Sequence, residues 1–325
     1  VDQFVGADRC AWDRGDVPIN RRHRLRTSRR TKGATCLTVA EIARELGVED
    51  WDLAPDPDSH GGRFTVLVEP DPVRAVARGL DLLEADQRAD PSLKAIDNLA
   101  CLPSAAMAGG VNWPALFDRE IEARDRDSWR GFDAHDRRSY PLRDGQLRAV
   151  QYHSCRGMEG WTTLCLGLDR FFEVQAARPR IDVEGLEAEV RRAEGFLFAR
   201  ELLEAKLAEA ARRFAVNWLM IPLTRSVDHL VVHLADPGSE LAAILARVDA
   251  RAPGAIEWIG PRPPVRPAPQ ALAPAGTAGA ETVDLLDDDP PRSEPLRAPD
   301  AGPAAIPAPA APEAPRRGFF RLWRR

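Results

Sequence analysis

Residues 217–234 read NWLMIPLTRSVDHLVVHL, and the order of elements in them sets the fold class. An apolar helix end runs into Pro222-Leu223-Thr224-Arg225, and His229–Leu234 (HLVVHL) follows as an apolar run of strand length. A helix over Ser239–Val248 comes next. A strand wet on one face alternates apolar and polar residues, whereas this one is apolar nearly throughout. Helix, buried strand, helix is therefore the unit of a parallel or mixed sheet covered on both faces.

The same grammar recurs upstream. Thr38–Leu46 (TVAEIAREL) places Val39, Ile42, Ala43 and Leu46 at helical spacing, and Arg63–Val68 (RFTVLV) is a β-rich run after Gly61-Gly62. Pro72–Ala85 reads as a helix, and Ala95–Leu102 as a short strand stopped by Pro103. Gln146–His153 and Thr162–Leu168 are strand-like, and Val183–Val216, rich in Glu, Ala, Leu and Arg, reads as one or two helices. The spacing predicts an open α/β sheet flanked by helices, with no internal repeat.

The chain has 325 residues, 44% of them hydrophobic and 29% charged, enough for one large domain or two small ones. Fifteen of its 28 prolines fall between Pro261 and Pro315, in a Pro/Ala-rich run with almost no aromatic residues. Such a segment buries too little apolar surface to offset its ordering entropy. The reading is a folded part over residues 1–260, a disordered linker or tail over 261–315, and a basic-aromatic peptide over 316–325. That last piece, RRGFFRLWRR, sets five arginines around Phe319, Phe320, Leu322 and Trp323. It fits a peptide that docks on a protein partner or, as the other reading, an interfacial membrane anchor.

Lys and Arg number 45 against 50 Asp and Glu, so the net charge of -5 excludes a wholesale polyanion-coating protein but leaves room for a local basic patch. Five cysteines, none at CxxC spacing, argue against a disulfide scaffold or a zinc ribbon and for a cytoplasmic location. No run approaches the roughly 18 apolar residues of a membrane span, and the first residues show no n-region followed by an h-region, so secretion is not expected.

Three segments carry candidate chemistry. LRTSRRTKG (25–33) is strongly basic. It is either a solvated loop or the source of an arginine whose planar fork meets a phosphate. HSCRGMEGW (153–161) lies between two strand-like runs, with Gly157 and Gly160 around the carboxylate of Glu159. It is either a simple turn or a place of close backbone approach. In the third, Arg225 sits between two apolar elements, where an arginine needs a partner. It either pairs with a core carboxylate such as Asp228 or is held out towards a phosphate.

In order and spacing, these segments resemble the second RecA-like domain of superfamily 1 DNA/RNA helicases of the UvrD/Rep-like group. Ser28-Arg29-Arg30-Thr31 stands for that family's N-Y-R-S motif. His153-Ser154-Cys155-Arg156-Gly157-Met158-Glu159 stands for H-x-x-K-G-L-E, and Pro222-Leu223-Thr224-Arg225-Ser226 for A-L-T-R-A. The resemblance spans roughly residues 20–250. It implies that Arg30 and Arg225 reach the γ-phosphate of ATP across an interdomain cleft. It further implies that Glu159 bonds the ribose with Gly157 allowing the approach, and that His153, Ser154 and Arg156 lie along a single strand of DNA or RNA. Arg29 stands where the family has an aromatic that stacks on adenine, and Arg156 replaces a lysine.

No G-x-x-x-x-G-K-[ST] phosphate loop and no D-E-x-Q motif occur in the chain. The resemblance therefore implies that ATP, with its Mg2+, is held mainly by a first RecA-like domain that this chain lacks. The chain alone is then expected not to hydrolyse ATP, and a phosphate-loop-containing RecA-like domain is an implied partner.

The alternative is a non-catalytic accessory module that binds nucleic acid or a protein partner. A helix-turn-helix at TVAEIARELGVEDWD (38–52) is set aside, because DLAPDPDSHGG leaves no room for a second helix. His229 and His233 lie four apart on a strand-like run, about 13 Å at roughly 3.3 Å per residue, and read as structural rather than metal-binding. Cys155 beside Arg156 is a candidate for a lowered thiol pKa, but with no base nearby it is given no catalytic role.

Overall fold

The computed structural model describes residues 27–48, 51–104, 107, 109–132, 136–141, 143–177, 187 and 199–265. The strands are β1 (Thr27–Ser28), β2 (Ala54–Pro55), β3 (Arg63–Val68), β4 (Leu99–Leu102), β5 (Asp127–Gly131), β6 (Gln146–Gln151), β7 (Gly160–Cys165), β8 (Ser226–Leu234) and β9 (Glu257–Ile259). The helices are α1 (Gly33–Glu45), α2 (Pro72–Ala89), α3 (Trp113–Ala123), α4 (Leu168–Ala177), α5 (Ala199–Leu223) and α6 (Glu240–Arg251). β3 to β9 form one seven-stranded sheet in the order β5-β6-β4-β7-β8-β3-β9. Every pairing in it is parallel, and β1 pairs with β2 in a separate parallel ladder. The α/β class read from the sequence is the class observed.

Strand alternation builds two cores. On β8, Leu230, Val232 and Leu234 join the core that contains α1, α4, α5 and α6, while Val231 faces the core built with α2 and α3. On β3, Phe64, Val66 and Val68 face the first of these. The helix read at Thr38–Leu46 is α1, and its Val39, Ile42 and Ala43 are buried as their spacing requires.

Caps fix where helices begin. Asp71 accepts from the N–H groups of Val73 and Arg74, with Pro72 at the first helical position, and Ser239 accepts from Ala242.

Several boundaries differ from the sequence reading. The run from Ala95 is a 3-10 turn over Ala95–Asp97, and only Leu99–Leu102 pair as a strand. The strand from Gln146 ends at Gln151 and turns through Tyr152–Ser154. The long helix runs to Leu223, with Pro222 inside its last turn. Most of 183–198 and all of 266–325 lie outside the described residues, and so does the expected tail beyond residue 265. Among the described residues no helix is long and apolar enough to cross a membrane.

Candidate functional site

Gly160 opens β7 and Ser226 opens β8, so the loops carrying the second and third segments meet at the amino edge of the sheet. The Gly160 N–H donates to the Arg225 carbonyl at 3.0 Å, and the Lys32 N–H donates to the Val227 carbonyl at 2.7 Å. The three chemistry-bearing segments are thereby sewn together by backbone. Close contact requires the glycine: a Cβ on Gly160 would stand 2.7 Å from the Leu99 Cβ and 2.8 Å from the Thr162 carbonyl oxygen.

Arg30 is the bridge. Its guanidinium donates to Glu159 Oε1 at 2.6 Å and to the Thr224 carbonyl at 2.7 Å, which joins all three segments through one side chain. The Arg30 and Glu159 side chains are 35% and 47% exposed. An ion pair so open to water contributes about 0.2–1 kcal/mol, so the Glu159 carboxylate is held only weakly.

Arg225 sits beside this bridge and is only 4% exposed. It does not pair with Asp228. Its Nε donates back to the Ile221 carbonyl at 2.9 Å and its fork to Thr224 Oγ1 at 2.8 Å. Both arginines thus cap the carboxyl end of α5, where unpaired carbonyls and the helix dipole favour positive charge. Burial lowers the Arg225 pKa, and the charge of Arg30 lowers it further, against the opposing pull of Cys155, Cys101 and Glu159. A guanidinium stays charged under any such shift, so positive charge accumulates at this edge.

The remaining sequence-named residues fall into two groups. Gly157 turns the chain with φ +77 and has open space where a side chain would be. Arg156 lies over the Trp218 ring at 4.8 Å, His153 meets the same ring edge-on at 6.1 Å, and Ser154 accepts from Arg137. Arg29, by contrast, is 88% exposed and reaches Asp56 at 3.4 Å, away from the bridge. The structure brings Arg30, Glu159 and Arg225 together, gathers His153, Ser154 and Arg156 on the crossing loop, and leaves Arg29 apart.

Cys155 corrects the suggestion of a reactive thiol. Its neighbour Cys101 and its own burial push its pKa well up, which leaves it an inert core group. His229 and His233 are held by hydrogen bonds at both ring nitrogens. His229 meets Asp86 and Thr65, and His233 accepts from the Gly167 N–H and bonds the Glu69 carbonyl.

Sequence reasoning missed Arg148. This side chain on β6 is buried and donates to the Glu159 carbonyl at 2.6 Å and the Asp97 carbonyl at 3.3 Å, so it pins the loop that carries Glu159. An arginine in the middle of the apolar run QLRAVQ was the available signal, since a buried arginine must find acceptors.

No family profile matches the sequence, and no curated protein matches it either. A solved structure described as the C-terminal domain of a possible DNA helicase from Lactobacillus plantarum is similar in fold at 15% identity and a TM-score of 0.39. It covers 71% of this chain and 98% of its own. A likeness of that degree does not bear on function.

Proposed function

We propose that this chain is the second RecA-like half of an ATP-dependent superfamily 1 DNA/RNA helicase motor of the UvrD/Rep-like group. It supplies arginines to the γ-phosphate of ATP and a loop that couples nucleic acid to the nucleotide. The observation that carries the reading is the single side chain of Arg30 joining Glu159 to the Thr224 carbonyl, beside Arg225. Positive charge held by neutral carbonyls and one weakly bound carboxylate is poised to meet an anion. Phosphoryl transfer is catalysed largely by such placement of charge.

ATP enters as substrate, held with its Mg2+ mainly by a phosphate-loop-containing RecA-like domain that this chain does not itself supply. As that domain closes on the amino edge, Arg30 exchanges Glu159 for a phosphate oxygen. The released Glu159 carboxylate is then free to accept from a ribose hydroxyl. Arg225 must leave its cap on α5 to follow. That requirement ties the second arginine to closure of the cleft rather than to nucleotide encounter alone. A single strand of DNA or RNA lies along the loop of His153, Ser154 and Arg156. The cytoplasm is the proposed compartment, and a protein partner is proposed for residues 316–325.

The inward turn of Arg225 favours a second reading, in which the guanidinium is purely a helix cap and the chain is a non-catalytic accessory module. ATP turnover separates the two. The isolated chain is expected to show none. Addition of its phosphate-loop partner domain is expected to produce nucleic-acid-stimulated hydrolysis that Arg225→Ala lowers by about 10³-fold or more, the scale for an arginine finger. Turnover by the isolated chain, or an unaffected Arg225→Ala motor, overturns the proposal.

A further inference from the structure

The loop between β6 and β7 crosses the sheet over α5, and Trp218 of that helix is its seat. The indole is fixed by three edge contacts: His153 at 6.1 Å and 89°, Phe171 at 6.5 Å and 85°, and Phe214 at 6.3 Å and 65°. Its Nε1–H is buried without a partner among the described residues, so the ring is held by packing and not by its polar edge. Arg156 lies over this ring, 4.8 Å from the centroid, and is itself exposed. A guanidinium over an aromatic ring is attracted by its π-cloud, and this one is open to solvent as well.

The charge around it is unbalanced. Many exposed arginines have carboxylates at hand: Arg29 has Asp56, Arg170 has Glu173, and Arg213 has Glu209. Among the described residues no carboxylate lies within ion-pair distance of Arg137, Arg138 or Arg156, and the Arg137 fork is aimed by its bond to Ser154 Oγ. The Arg137–Ser154 bond brings the cationic pair Arg137 and Arg138 to the loop that carries Arg156, and such a cluster of positive charge favours an anion. The aromatic seat under Arg156 favours one kind of anion. An acidic peptide would use only the charge, whereas an unpaired nucleotide also offers a π-face for the guanidinium plane.

We propose that Arg156, seated over Trp218, is a base-stacking platform for single-stranded nucleic acid, with Arg137 and Arg138 taking the neighbouring phosphates. Of the functional reading above it uses only the class of ligand. It adds a residue on α5, two flanking arginines and a stacking mode to the loop already described.

The full chain, titrated into a labelled oligothymidylate and into an abasic oligomer of equal length, tests this by fluorescence anisotropy. The thymidylate is expected to bind about tenfold more tightly, the scale of one stacked base. Arg156→Ala, an exposed change that spares the core, should erase that preference, and Trp218→Ala should do the same. Trp218→Phe keeps an aromatic seat, should retain most of the preference, and guards against loss of folding. Arg137→Ala with Arg138→Ala should weaken both oligomers alike and lower the slope of log affinity on log salt by about 0.7 per charge. Equal binding of the two oligomers, a preference that survives Arg156→Ala, competition by polyglutamate as strong as by oligonucleotide, or no binding at all overturns the platform. Those results leave the motor reading to the ATP-turnover experiment, which does not depend on them.

Discussion

Asp86 is 6% exposed and accepts from three elements at once: Arg63 of β3, Thr162 of β7 at 2.7 Å and His229 of β8 at 2.7 Å. Burial alone would raise its pKa, but the bonds and charge of His229, with Thr162 and Arg63, outweigh that and bring it below the ordinary value. A carboxylate with a depressed folded pKa adds stability above its unfolded pKa, about 3.9, and loses it as pH falls through the folded value. Asp86→Asn should therefore cost about 2–4 kcal/mol in urea unfolding at pH 7, because it leaves buried partners unmatched. The gap between variant and parent should narrow below about pH 4. A gap constant down to pH 2 would mean that the carboxylate's charge is irrelevant. Gly157, at φ +77, makes a smaller claim: Gly157→Ala should cost about 1–2 kcal/mol from left-handed strain alone. Thermal denaturation reads it directly.

At the level of the element, caps and close approaches are the sensitive points. Ser239 accepts from the Ala242 N–H at 3.2 Å to start α6, and Ser239→Ala should lower stability by about 1 kcal/mol. Gly160→Ala should do more, since its Cβ would meet backbone and the Leu99 Cβ within 3 Å. Displacement of the Glu159 loop would then show as lost protection of the Gly160 amide in hydrogen exchange. Elements with strong apolar patterning were legible beforehand: β3 was read at its observed bounds, Arg63–Val68, and α1 and α6 were placed by periodicity. The helices α3 and α4 and the strands β5 and β9 were not anticipated. β5 is a polar edge strand, DSWRG, with only Trp129 and Gly131 buried, and β9 has three residues. Short edge elements take their structure from a neighbour's hydrogen bonds, which no local pattern encodes.

For the whole molecule, the described sheet with its two cores should unfold as one cooperative unit. The chain divides into Val1–Pro269 and Gln270–Arg325, and the second unit is rich in Pro and Ala. Truncation after Pro269 is accordingly expected to move the Tm by less than about 2 °C, as scanning calorimetry would read. A large fall would show that the C-terminal unit stabilises the sheet.

Composition and periodicity by themselves determined the α/β class, the principal strands and helices, and the three segments worth inspecting, because burial on both faces writes itself into local apolar runs. The meeting of Arg30, Glu159 and the Thr224–Arg225 turn was decided only by the tertiary structure. So were the inward cap of Arg225, the loop-pinning role of Arg148 and the seat of Arg156 on Trp218. Each depends on strand order and on distances between residues from tens to nearly two hundred positions apart, and parallel pairing fixes those through long crossovers that leave no periodic trace in the chain.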